Sequence, residues 1–109
     1  MINDEQKIDL IKRKVWFMKR FNDFLDGIIA IRTVDKQNFN KLLEGLKKII
    51  FVQLTNFKDK ELQITLNAQL DYIRKLEGLI KDIKQNRNLI IEIGNDLRDN
   101  YKKKEKVVL

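Results

Sequence analysis

Apolar residues recur at steps of three and four along most of the chain, the spacing that places side chains on one face of an α-helix. The first such stripe occupies residues 8–29, the second 39–54, and the third begins at residue 62. Polar segments near 32–35 and 55–59 separate the stripes and predict two turns. The chain contains no proline and only four glycines, so little interrupts the helices themselves.

Helix-start signals precede each stripe. Asn3 is followed three residues later by Gln6, the spacing of a capping box, and Thr33 or Asp35 can cap a second helix. A third helix is expected to start near Asp59. We therefore predict an all-α fold, either an antiparallel three-helix bundle or a helical hairpin, with a long coiled-coil-like third helix.

The third stripe has the alternating four- and three-residue spacing of a coiled-coil seam from Leu62 to Ile83. Arg87 and Gly94 occupy the next seam positions and weaken the pattern. One interpretation is that the helix continues through this region to residue 98. The alternative is a break within 86–95 that folds the segment back onto the same core.

A continuous third helix would be roughly 60 Å long, against roughly 44 Å for the first, because an α-helix rises about 1.5 Å per residue. Aliphatic side chains beyond the end of the bundle would then need a second chain to cover them. This interpretation predicts a homo-oligomer, or a subunit of a complex, with an interface that includes Ile80, Ile83, Ile90 and Leu97.

Composition supports one domain and constrains its environment. With 43% apolar and 36% charged residues, the chain is too hydrophobic for a disordered one and has the make-up of amphipathic helices. We expect a single helical domain at 1–98, followed by a basic, frayed C-terminal tail at 99–109. No run of aliphatic or aromatic residues is longer than four, the length of the run at 49–52, so we expect a cytoplasmic protein without a membrane span.

The residue types argue against catalysis. The chain has no histidine, cysteine or serine, so the usual nucleophiles, general bases near neutral pH and soft metal ligands are absent. Its carboxylates follow no metal-binding motif, and no glycine-rich loop follows a strand. We therefore predict a non-enzymatic protein with no cofactor and no metal.

The most distinctive local feature is the only tryptophan, which lies in a run of cations. At about 100° per residue, Trp16 points away from the apolar stripe of the first helix, towards Lys12, Arg13, Lys19 and Arg20. These five residues are the predicted partner-binding site. The alternative is that Trp16 packs beneath another helix and that the cations are ordinary surface residues. Phe17, Phe21 and Phe24 form a second apolar flank that we assign to the core.

The net charge of +7 leaves two kinds of partner open. The first hypothesis is a small subunit or adaptor that assembles through its third helix and contacts a protein partner with the basic face of the first. The second is DNA or RNA binding by the same face. Phosphate contacts depend steeply on salt, which distinguishes the hypotheses. Additional nucleic-acid contacts would come from Lys36, Lys41, Lys47, Lys48, Lys102, Lys103 and Lys104.

Overall fold

The structure is a computed structural model that describes residues 2–104, with side chains as far as residue 103. It contains α1 (Asp4–Ile29), α2 (Lys36–Asn56), α3 (Lys60–Leu79), a 3₁₀ turn (Ile80–Asp82) and α4 (Ile83–Lys104). The described residues include no β-strand. The predicted all-α fold class, with three helical regions of which the third is the longest, is confirmed.

Side-chain caps begin the first three helices where the sequence predicts them. The Asn3 side chain accepts a hydrogen bond of 2.8 Å from the Gln6 backbone, and the Gln6 side chain accepts one of 3.0 Å in return. Asp35 and Asp59 each accept from the backbone N–H three residues further on, at 3.1 and 2.8 Å. These bonds satisfy N–H groups that a helix leaves without an internal partner.

The third helical region reverses direction at the 3₁₀ turn. The Gln69 amide donates a hydrogen bond of 3.1 Å to the side-chain oxygen of Asn100, 31 residues away. In one straight helix those residues would be roughly 46 Å apart. The region therefore folds back, so that α3 and α4 lie side by side and antiparallel. Of the two alternatives that the sequence leaves open, the second describes the structure, with the reversal a few residues before 86–95.

Polar side chains form hydrogen bonds to the backbone on both sides of this reversal. The Asn86 amide donates to the Leu79 carbonyl at 3.0 Å, and the Asp82 carboxylate accepts from the Gln85 backbone at 3.1 Å. The first bond satisfies a carbonyl at the end of α3, and the second an N–H group in the first turn of α4. A tight reversal without glycine or proline is possible because these side chains replace the missing backbone bonds.

The four helices form an antiparallel bundle in which each packs against two others. α1 contacts α2 and α4, and α3 contacts the same two helices from the opposite corner. The molecule measures 42 × 21 × 20 Å between Cα atoms, the dimensions of one bundle. Its core is made of the inward stripes of all four helices, including Met18, Phe21, Leu25, Phe39, Leu43, Leu46, Leu66, Ile73, Leu76, Ile90 and Leu97.

The fold-back changes the role of the residues predicted as an oligomer interface. Ile80, Ile90 and Leu97 are 1%, 0% and 1% exposed, and Ile83 is half-buried against the same core. The apolar side chains assigned from the sequence to an oligomer interface are thus packed against other helices of the same chain. Ile80, Ile90 and Leu97 are therefore not available to a second copy in this fold, and Ile83 is only partly accessible.

The C-terminal segment is helical for longer than the sequence indicates. Residues 99–104, assigned from the sequence to a frayed tail, form the last turns of α4. Residues 105–109 lie outside the described residues, as does the side chain of Lys104. Within the part that is described, no helix combines the length and the apolar character needed to cross a bilayer.

The connection after α1 contains an unusual backbone conformation. Ile31 has a φ of 55°, in the left-handed region, and its side chain is 79% exposed. The Arg32 backbone donates to the Gly27 carbonyl at 2.8 Å, the bond of a helix-ending motif that usually places glycine at the left-handed position. A β-branched residue there is strained by roughly 1 to 2 kcal/mol.

Ile31→Gly is expected to raise the free energy of unfolding by about 1 kcal/mol, because strain is relieved and little buried contact is lost. Urea unfolding followed by circular dichroism measures the change. Ile64, 71% exposed within α3, provides the matched control. Ile64→Gly should lower stability by several tenths of a kcal/mol, since glycine is a poor helix former. A loss of stability in both variants would contradict the prediction.

Candidate partner-binding surface

Trp16 lies on the outer face of α1, as the helical periodicity predicts. Its side chain is 57% exposed, whereas Lys14 and Met18, two residues away on either side, are buried. A separation of two residues corresponds to about 200° around a helix, so burial of one position exposes the other. The rigid helix therefore presents the indole ring to solvent.

Two neighbours restrict the orientation of the indole ring. The Arg20 guanidinium carbon lies 5.7 Å from the ring centroid of Trp16, within the range of a cation–π contact. The Phe17 ring meets the indole edge to face, with centroids 5.2 Å apart. Because both contacts form within α1, the indole is held in place before any partner arrives, which reduces the entropy lost on binding.

The four predicted cations around Trp16 are all exposed. Lys12, Arg13, Lys19 and Arg20 form no ion pair within the part of the chain that is described. They span about 12 Å along α1. Asp9 precedes these residues and Asp23 follows them on the same side of the helix, so carboxylates limit the basic stretch at both ends. The surface is thus a short patch with positive charge available to an outside group.

Helix α2 contributes two further cations. Phe17 packs over Gly45, where an added Cβ atom would lie 2.6 Å from the phenyl ring, so glycine allows the two helices to approach closely. Lys41 and Lys48 lie about one turn before and after Gly45 and are exposed. We name the combined surface the Trp16 face, which consists of Trp16, Lys12, Arg13, Lys19, Arg20, Lys41 and Lys48.

Two other predicted nucleic-acid contacts on α2 point away from this face. Lys47 forms an ion pair of 2.9 Å with Glu77, and Lys36 donates to the Lys81 carbonyl at 3.2 Å. Both therefore point towards the α3 side of α2, away from α1. Lys102 and Lys103 are exposed near the end of α4, which contacts α1 and α3. The structure thus brings Lys41 and Lys48 to the Trp16 face and directs Lys36 and Lys47 away from it.

Lys14, inside the same basic run, faces inward. It is 2% exposed, and its ammonium donates to the side-chain oxygens of Gln53 at 2.8 Å and Gln69 at 2.7 Å. The same nitrogen lies 5.7 Å from the ring centroid of Tyr101. With the Gln69–Asn100 bond, these contacts form a buried polar network that joins all four helices. We name it the Lys14 network.

The Lys14 network is not among the features predicted from the sequence, although the sequence contains a signal for it. Lys14 lies four residues before Met18 and four after Leu10, which is the spacing of the apolar stripe. Gln69 likewise occupies a position in the predicted coiled-coil seam. A polar residue inside an apolar stripe marks a buried hydrogen-bonding position when its partners are on other helices.

The described residues contain no group of three or more Asp or Glu side chains that could hold a metal ion. Comparison with known protein families, with curated proteins and with solved structures finds no match for this chain.

Proposed function

We propose that this chain is a non-enzymatic helical interaction protein, a small subunit or adaptor that binds a protein partner through the Trp16 face. The observation that carries the proposal is the exposed, oriented Trp16 among cations that form no ion pair within the described residues. Tryptophan and arginine are the residue types most enriched where single side chains dominate binding energy. The cations would attract an acidic partner surface and accelerate its association.

The dimensions of the face favour a protein partner. The basic stretch of α1 covers about 12 Å and is limited by Asp9 and Asp23, so a nucleic acid that runs along the helix would meet carboxylates at both ends. Arg20 lies against the ring of Trp16, where an unpaired base would otherwise stack. A protein can instead place an apolar pocket over the indole and acidic groups around it.

DNA or RNA binding is the second candidate, and one observation favours it. Lys41 and Lys48 extend the face across α2, so that six exposed cations surround one aromatic side chain. Cations beside an aromatic platform are typical of proteins that bind single strands. This candidate requires several phosphate contacts and hence a steep dependence of affinity on salt.

Trp16→Ala is expected to weaken partner binding by about 2 kcal/mol, or roughly thirtyfold, because a hot-spot side chain is lost. Native mass spectrometry of complexes from the source cells, with bound chains and nucleic acid retained, identifies the partner. Because Trp16 is the only tryptophan, its own fluorescence reports binding to the wild-type protein. Equal affinity of Trp16→Ala and wild type for that partner would eliminate the proposal.

The double variant Lys12→Glu, Arg20→Glu distinguishes the two candidates. Nucleic-acid binding should collapse and its salt dependence should become weaker, whereas a protein contact should persist with slower association. Lys58→Glu with Lys84→Glu makes the same change in net charge at exposed sites outside the Trp16 face. This control should retain wild-type affinity; an equal loss in both double variants would indicate an effect of overall charge alone.

A further inference from the structure

A groove between α3 and α4 forms a second surface. It encloses about 540 Å³ and lies on the side of the bundle opposite the Trp16 face, because α3 and α4 are the helices across from α1 and α2. Tyr72, Leu79, Leu89 and Ile93 supply its apolar lining. Leu89 is 45% exposed, whereas Ile90 and Ile93 on the same helix are buried in the core.

The two edges of the groove carry opposite charges. Arg74 and Lys75 line the α3 edge, and Glu92 and Asp96 line the α4 edge. All four are exposed, and among the described residues they form no ion pairs across the groove or elsewhere. A partner for this groove therefore needs acidic groups opposite the α3 edge, an apolar centre, and basic groups opposite the α4 edge.

The geometry points to a second copy of this chain as the occupant, related by a two-fold axis that runs along the groove. Rotation about that axis places α3 of one copy opposite α4 of the other and keeps each residue at the same position along the groove. The basic edge of each copy then faces the acidic edge of the other, and Lys75 meets the partner subunit's Glu92 twice by symmetry. A two-fold axis across the groove would instead oppose like charges, which disfavours it.

Gly78 supports the same arrangement. It is exposed in the last turn of α3, and an added Cβ atom would meet nothing within 4 Å. Because α3 and α4 are antiparallel, Gly78 and Leu89 lie at roughly the same height on opposite edges of the groove. The two-fold rotation places the partner subunit's Leu89 over Gly78. An exposed leucine thus meets the one position on the facing edge that has no side chain.

This inference goes beyond the proposed function and is independent of it. A dimer formed through α3 and α4 leaves both Trp16 faces exposed on its outer sides. Such a dimer could hold two partner molecules or bind a repetitive partner with increased avidity. Loss of dimerisation and loss of partner binding are separate measurements, so either proposal can fail alone.

Sedimentation equilibrium of four proteins tests the arrangement: wild type, Lys75→Glu, Glu92→Lys and an equimolar mixture of the two variants. Wild type should dimerise, and each variant alone should dissociate at least tenfold more readily, because two like-charge contacts replace two ion pairs. The mixture should recover the dimer, since every contact then joins opposite charges. Lys84→Glu, outside the groove, is the control and should dimerise as wild type does.

Gly78→Leu tests the apolar contact by a different route. The new side chain should raise the unfolding midpoint of the monomer, because leucine is a better helix former than glycine. It should also weaken the dimer at least tenfold, because it would occupy the space of the partner subunit's Leu89. A wild-type protein that is monomeric at millimolar concentration would overturn the inference. Dimerisation of Gly78→Leu with wild-type affinity, or a mixture of charge variants that stays monomeric, would overturn it as well.

Discussion

Lys14→Ala is expected to lower the free energy of unfolding by about 3 to 5 kcal/mol, which is a large part of the stability of a domain of this size. Two effects contribute. The ammonium that donates to Gln53 and Gln69 disappears from a buried site, and the removed side chain leaves a cavity between four helices. Urea unfolding monitored by circular dichroism measures the shift in midpoint.

Lys14→Met and Lys12→Ala separate these effects. Methionine fills most of the volume, so Lys14→Met should be less destabilised than Lys14→Ala and should report mainly the loss of hydrogen bonds. Lys12, two residues away on the exposed face of the same helix, should tolerate alanine within about 0.5 kcal/mol. If Lys14→Ala unfolded within 1 kcal/mol of wild type, the Lys14 network would not stabilise the bundle.

The Lys14 network is also expected to favour this arrangement of the four helices over alternative packings. Its members come from all four helices, and the hydrogen bonds form only when these helices take their observed places. We expect an apolar triple variant, Lys14→Met with Gln53→Leu and Gln69→Leu, to match the wild type in stability but to lose its unique packing. Poorly dispersed amide resonances in its NMR spectrum would reveal that loss.

Phe21→Ala is the second change with a large expected effect, a destabilisation of about 3 to 5 kcal/mol. Phe21 is 0% exposed and meets the Phe39 ring at a centroid distance of 6.0 Å, at the contact between α1 and α2. Removal of the ring leaves a cavity that the surrounding core cannot fill. Thermal and urea unfolding should both show the shift.

Trp16→Ala is the matched control for Phe21→Ala, because it removes a larger aromatic side chain from the same helix. We expect a loss of stability within about 1 kcal/mol, since more than half of the Trp16 side chain already contacts water. A loss of 3 kcal/mol or more in Trp16→Ala would mean that the indole supports the fold. The expected loss of partner binding could then no longer be assigned to the Trp16 face.

The two proposed surfaces differ in chemistry and would suit different kinds of partner. The α1–α2 side combines one exposed aromatic ring with positive charge, which suits a partner of different chemistry. The α3–α4 side combines an apolar groove with one edge of each charge, which suits a copy of itself. Two chemically different faces on opposite sides of a small domain are consistent with an adaptor or a minor subunit of an assembly.

The starts of the first three helices and the outward orientation of Trp16 could be predicted from local sequence alone. Helix periodicity and capping are local properties: Asn3, Asp35 and Asp59 cap their own first turns whatever the rest of the chain does. The exposure of Trp16 follows from its angle to the apolar stripe within one helix. Such features need no knowledge of which helices become neighbours.

The reversal at Ile80–Asp82 and the partners of Lys14 depend on how the helices pack and could not be predicted from the sequence. A helical stripe shows that a face is buried but not what covers it, so Ile90 and Leu97 could equally have packed against a second chain. The reversal is closed by side chains that the periodicity does not detect, and it supplies the neighbours of both residues. Lys14 could enter the core because Gln53 and Gln69 reach its ammonium from other helices, and a buried cation is tolerated only where such partners meet it.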